Sequence, residues 1–134
     1  TKSPRSITME IVALVTLLLV FQYLTYMMLC GKARAASGIK APAVTGDENF
    51  ERAYRVQMNT LEQLMICLPA LWISASYFMP MVAAALGLAF FIGRLLYRIA
   101  YMKDPGTRAT GMIIGFLANV GLLLTALWGV TTQL

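Results

Sequence analysis

The sequence predicts an all-α membrane protein, a bundle of four transmembrane helices forming a single domain over residues 1–134. Three observations carry that expectation. Hydrophobic residues make up 59% of the chain and charged residues 13%, with a mean hydropathy of +0.70. Soluble domains carry roughly 45–50% apolar and about 25% charged residues, so the polar side chains here are too few to cover a water-facing surface. Four apolar blocks recur along the chain, each near the roughly 20 residues that cross a hydrocarbon core. Between them, the basic residues collect beside two connections and avoid the third.

The first block runs from about Met9 to Cys30, MEIVALVTLLLVFQYLTYMMLC. It is too long for the apolar core of a cleavable leader and is not followed by a small-residue cleavage site. The opening TKSPRSIT precedes Met9, which is read as the native start, with residues 1–8 an expression remnant. A polar loop follows, GKARAASGIKAPAVTGDEN. The second helix is expected over residues 49–78, polar in its first half and apolar from about Leu61. Met79-Pro80 makes a short turn into a third span over residues 81–101. Pro105-Gly106 marks the next turn, and the fourth span covers residues 110–130. Lipid offers backbone groups no hydrogen-bond partner, so the spans are helices. The alternating ten-residue segments of a membrane β-barrel are absent from the sequence.

Charge placement sets the expected topology. Lys32, Arg34, Lys40, Arg52 and Arg55 flank the first connection, and Arg94, Arg98, Lys103 and Arg108 flank the third. Basic loops stay in the cytoplasm, which puts both termini outward. The net charge of +5 is therefore an orientation signal rather than a nucleic-acid footprint, which would need basic residues gathered on one water-facing surface. Cys30 and Cys67 sit in apolar stretches with no metal-binding or redox spacing and read as packing residues. No metal is expected.

Two polar stripes enter the membrane edge. Arg52, Arg55, Asn59 and Glu62 follow spacings of three, four and three in the second helix, which puts them on one face. Arg94, Tyr97 and Tyr101 do the same in the third, with Arg108 across the short loop. An ionisable group at membrane depth costs about 2.5–3.5 kcal/mol on insertion scales and usually faces the bundle interior or an aqueous cavity. Several arginines facing one carboxylate leave surplus positive charge, and an anion completes it. The plainer readings are a Glu62 pair with Arg55 or Arg94 that glues helices, and arginines that snorkel to the interface.

The strings ERAYRVQMNTLEQ, ALW ending at Trp72, and GLAFFIGRLLYRIAY followed by Arg108 resemble the membrane-associated proteins in eicosanoid and glutathione metabolism, the MAPEG family. The resemblance runs over about residues 31–128 and is sharpest in ER-x-x-R-x-Q-x-N-x-x-E and GR-x-x-Y-x-x-x-Y. It implies a homotrimer with glutathione held between neighbouring subunits near the cytoplasmic face. It also implies that Arg55, Asn59 and Glu62, with Gln57 nearby, contact glutathione, that Arg94, Tyr97 and Tyr101 line the same pocket, and that Arg34 reaches in from the adjacent subunit. Arg108 matches the arginine with which conjugating members activate the thiol. Gln63 stands where the human conjugating enzymes usually have a tyrosine. The short loops and the DPGTR turn resemble bacterial members, hence a bacterial inner membrane.

The function this implies is a glutathione transferase, with peroxidase activity as an extension, acting on lipophilic electrophiles or lipid hydroperoxides that arrive from the bilayer. The alternative is a non-catalytic lipid-binding scaffold, which the same family contains. A small proton-coupled drug carrier would need an acid in the middle of its first span, where only Glu10 occurs, at the edge.

Overall fold

A computed structural model describes the backbone of residues 4–134 and the side chains of residues 8–134. Four long helices run in order: α1 over Pro4–Ser37, α2 over Glu48–Tyr77, α3 over Pro80–Lys103 and α4 over Ala109–Thr131. The reading of residues 1–8 as a remnant falls partly on residues 1–3, which lie outside the described residues. No strand occurs among the described residues.

The α1 helix runs seven residues further than hydropathy predicts, because KARAAS is polar yet rich in alanine, the strongest helix former. Gly38 stops it: at φ 75° it takes the left-handed cap position and donates its N–H to the Arg34 carbonyl at 3.1 Å. Arg34 thus sits on the last turn of α1 rather than in a loop. Asp47 caps α2, its carboxylate accepting the Phe50 N–H at 2.9 Å, while Glu51 reaches back to accept the Gly46 N–H at 3.0 Å. Between α2 and α3 only Phe78 and Met79 lie outside the helices, and Pro80 opens α3 where its missing N–H costs nothing. A short 3₁₀ turn over Pro105–Thr107 leads into α4, with the Asp104 carboxylate accepting the Gly106 N–H at 3.0 Å.

Neighbours in sequence run antiparallel, so both basic connections lie at one end of the bundle, called here the basic end. The α2 and α3 helices pack against each other and against both of the others, whereas α1 and α4 share no substantial contact. The core is a seam of small and branched residues, among them Val12, Leu19, Cys67, Leu71, Ala83, Phe90 and Leu122. Near the basic end the packing turns aromatic, with Tyr26, Val56 and Tyr97 in one cluster and Cys30, Ala33, Phe50 and Ala53 in another.

Leucines, methionines and aromatics cover the outside of the bundle, including Phe21, Met65, Phe116, Leu124 and Trp128. A surface of that kind belongs in lipid or against other membrane helices. On length and apolarity alone, α1, α3 and α4 qualify as membrane spans and α2 does not. The shortfall is the polar stripe in its first half, of which the bundle covers Arg52 and Asn59 in part and leaves Arg55 and Glu62 half exposed. The result is a membrane bundle of four helices.

The Gly111/Gly115 pair packs within the chain. A Cβ on Gly111 would stand 2.3 Å from the Tyr97 nitrogen, and one on Gly93 would stand 2.7 Å from the Gly115 nitrogen. Gly93 and Gly111 therefore let α3 and α4 touch backbone to backbone, as small residues do between membrane helices. The contact fixes the height of Tyr97 and Arg94 against α4.

Candidate functional site

Arg94 is the centre of the site. Its side chain is 1% exposed, and its Nη2 donates to Asn59 Oδ1 at 2.7 Å and to Thr60 Oγ1 at 3.0 Å. Thr60 accepts this bond because its own proton goes to the Val56 carbonyl at 2.7 Å. The guanidinium carbon sits 4.2 Å from the centroid of Tyr97, and Tyr97 stacks on Tyr101 at 5.3 Å. The partners of this buried cation are neutral: an amide, a hydroxyl and an aromatic face. Its Nε has no acceptor. A buried charge without a counter-charge is costly, so the geometry favours an anion beside it.

The cavity next to Arg94, about 260 Å³, has two unlike walls. Asn59, Gln63 and Arg94 form the polar one; Met112, Ile113 and Phe116 of α4 form the apolar one. Asn119 holds Gln63 in place, donating to its carbonyl at 3.2 Å and to its Oε1 at 3.3 Å. Towards the basic end a wider hollow of about 450 Å³ is bordered by Glu51, Arg52, Tyr54, Arg55, Tyr101 and Pro105.

Glu62 pairs with Arg55 at 3.4 Å, both side chains about half exposed at 53% and 50%. Both residues belong to α2, so this pair joins no two helices, and at that exposure it contributes under about 1 kcal/mol. Arg55 and Arg108 lie close enough for their charges to act on the Tyr97 hydroxyl. Within one chain, then, Asn59, Arg94, Tyr97 and Tyr101 form one contiguous set, with Arg55, Glu62 and Arg108 around it.

Two predicted residues point elsewhere. Gln57 donates to the Tyr23 hydroxyl of α1 at 3.4 Å. Arg34 lies over the Phe50 ring at 4.5 Å and donates to the Ala43 carbonyl at 2.8 Å, away from Arg94. Arg108 is exposed at the start of α4 and donates to the Pro105 carbonyl at 2.8 Å. Arg52, on the predicted stripe, instead ties α2 to the end of α3, donating to the Met102 and Lys103 carbonyls at 3.1 and 3.0 Å and pairing with Glu48.

Sequence reasoning missed Thr60, Asn119 and Tyr26, whose hydroxyl donates to the Arg94 carbonyl at 3.2 Å. Thr60 adjoins the recognised Asn59, and Asn119 is the one amide in an otherwise apolar fourth helix. Those were the available signals.

Known proteins resemble this chain in sequence. The MAPEG family pattern matches residues 12–128. The chain is 45% identical over 120 residues to the uncharacterized protein sll1147 of Synechocystis sp., covering 87% of this chain and 88% of that one. It is 36% identical over 115 residues to microsomal glutathione S-transferase 2 of Homo sapiens, covering 84% and 78%. It is 33% identical over 122 residues to leukotriene C4 synthase of Cavia porcellus, covering 84% and 81%. With the family pattern matched across nearly the whole bundle, the chain belongs to the MAPEG family.

Proposed function

We propose that the chain is a membrane-embedded glutathione transferase that works as a homotrimer. It activates the glutathione thiol and joins it to lipophilic electrophiles, or uses it to reduce lipid hydroperoxides. The observation that carries this reading is Arg94, a fully buried guanidinium with neutral partners, at a cavity whose opposite wall is apolar. The names of two relatives, a glutathione S-transferase and leukotriene C4 synthase, support the choice of glutathione.

Glutathione carries two carboxylates and one ammonium. Arginine forks suit carboxylates, so Arg94 and Arg55 take these groups. Glu62, released from Arg55, takes the ammonium. Asn59 and Gln57 supply amide contacts, Tyr97 and Tyr101 supply hydroxyls, and Arg34 reaches in from the adjacent subunit. Arg108 swings from the Pro105 carbonyl to the sulfur. It is too basic to remove a proton; its charge stabilises the thiolate, and the proton passes to water. The sulfur pair then forms a C–S bond while the leaving group departs with its electrons. With a hydroperoxide, sulfur attacks the terminal oxygen, the O–O bond breaks and the lipid alcohol leaves. The sulfenic acid formed condenses with a second glutathione to give the disulfide and water.

The apolar wall of Met112, Ile113 and Phe116 is where a lipophilic substrate would lie, entering from the bilayer. The basic end faces the cytoplasm of a bacterial inner membrane, with both termini outward. Detergent-solubilised protein assayed with glutathione and chlorodinitrobenzene tests the reading. Turnover that saturates with glutathione supports it. No turnover, alongside retained binding of a lipid probe, would replace the enzyme with a lipid-binding scaffold.

A further inference from the structure

A second groove lies between α1 and α3. It encloses about 270 Å³ and is lined by Leu18, Phe21, Gln22, Tyr26, Phe91 and Leu95, with Thr25 at its edge. The two helices run parallel here, tied by Gln22 Nε2 donating to the Phe91 carbonyl at 3.0 Å and by the Tyr26 hydroxyl donating to the Arg94 carbonyl at 3.2 Å, while Gln22 also donates to the Tyr26 hydroxyl at 3.2 Å. Gln22 is 7% exposed, and its Oε1 has no donor.

Arg98 stands one turn beyond Leu95, at the basic end of this groove. Its guanidinium carbon lies 5.4 Å from the centroid of Tyr26, and its enclosed Nη1 has no acceptor. Among the described residues Arg98 makes no ion pair and no hydrogen bond. Asp104, the nearest acid along α3, is occupied with the Gly106 N–H. On α1, Leu18, Gln22, Thr25, Leu29 and Lys32 alternate spacings of four and three, so exposed Lys32 continues the groove-facing stripe. Arg98 is five residues short of the end of α3 at Lys103, about 7 Å along the axis.

From bottom to mouth the groove is therefore apolar, then amide and phenol, then doubly cationic. We propose that it holds one anionic phospholipid, with its phosphate between Arg98 and Lys32 and an acyl chain over Leu18, Phe21, Phe91 and Leu95. Charge complementarity selects the occupant: guanidinium forks match phosphate oxygens, and basic pockets between membrane helices collect anionic headgroups. The site is separate from Arg94's cavity and requires only that the chain sits in a membrane.

Native mass spectrometry of the detergent-solubilised protein, with phosphatidylglycerol and phosphatidylcholine in competition, tests this. The wild-type chain should retain one phosphatidylglycerol in clear preference. Arg98→Gln should cut that preference roughly fivefold, the worth of one basic residue at a membrane surface. Arg98→Lys should keep most of it, and Lys40→Gln, on the distant loop, all of it. Leu95→Trp keeps every charge but fills the groove, and it should displace the lipid. It also decides the matter if Arg98→Gln fails to fold. An unchanged preference in Arg98→Gln, or an undisturbed lipid in Leu95→Trp, overturns the proposal. So does a disulfide between subunits formed through Thr25→Cys, which would put protein in the groove.

Discussion

The glycine seam between α3 and α4 makes a quantitative prediction. A Cβ added at Gly111 meets backbone only: the Tyr97 nitrogen at 2.3 Å, the Gly93 oxygen at 2.6 Å and the Tyr97 Cα at 2.8 Å. None of these can rotate away, so restoring ordinary contact requires the helices to part by about 1 Å, an overpacking that costs about 1–3 kcal/mol. At Gly115 the nearest atoms are Arg94 Cδ at 3.8 Å and Phe90 Cδ2 at 3.9 Å, so alanine fits without displacement. Alanine also favours the helix over glycine by about 1 kcal/mol. For 134 residues, an unfolding entropy of roughly 2.1 cal/mol/K per residue turns 2 kcal/mol into about 7 °C of Tm. Gly111→Ala should therefore melt about 7 °C below Gly115→Ala in a detergent thermal scan, and Gly115→Ala at or slightly above the wild type. Glutathione binding should weaken in Gly111→Ala as well, because Tyr97 carries Arg94 with it. Equal melting of the two variants would refute the backbone-to-backbone seam.

Three further outcomes separate binding, activation and stability. Arg108→Ala should remove most of the thiolate absorbance that appears near the ultraviolet edge on titrating glutathione, with affinity largely intact; an unchanged signal would move the activating role to Tyr97, Tyr101 or Arg34. Glu62→Gln should leave Tm within about 4 °C, since its pair with Arg55 is half exposed and worth under about 1 kcal/mol. It should weaken glutathione binding tenfold or more by calorimetry, and retained affinity would take Glu62 out of the site. Thr60→Val keeps the shape but removes an acceptor from buried Arg94, a bond to a charged group worth about 1.5–3 kcal/mol. Its Tm should fall by about 5–10 °C, and an unchanged Tm would mean that Asn59 alone satisfies the guanidinium.

The apolar spans were legible because lipid imposes a length and a composition that few other environments demand. The turns at Met79-Pro80 and Pro105-Gly106 were legible through proline chemistry. The end of α1 was not, since polarity reads as loop, while a helix that has left the lipid stays helical on its alanines until a glycine such as Gly38 stops it. Spacing along one helix was enough to put Tyr97 and Tyr101 on Arg94's face. It could not supply the register between helices, so the partners of Thr60, Asn119 and Gly93 could not be read: each matters through what stands opposite. Only the fold shows that Gly111 stands against the backbone of Gly93 and Tyr97.

The shortfall in apolarity of α2 bears on how the protein is made. A nascent segment carrying Arg55, Asn59 and Glu62 is a reluctant passenger from an insertion channel into bare lipid, where no neighbour yet covers them. Only Phe78 and Met79 separate it from α3, which is apolar enough to cross unaided and carries Arg94, the cation that binds Asn59 and Thr60. The pair is thus built to enter the bilayer as one hairpin, with Asn59 and Thr60 closed against Arg94 before lipid reaches them. The contacts that later define the cavity would then act first as the chaperone of their own helix.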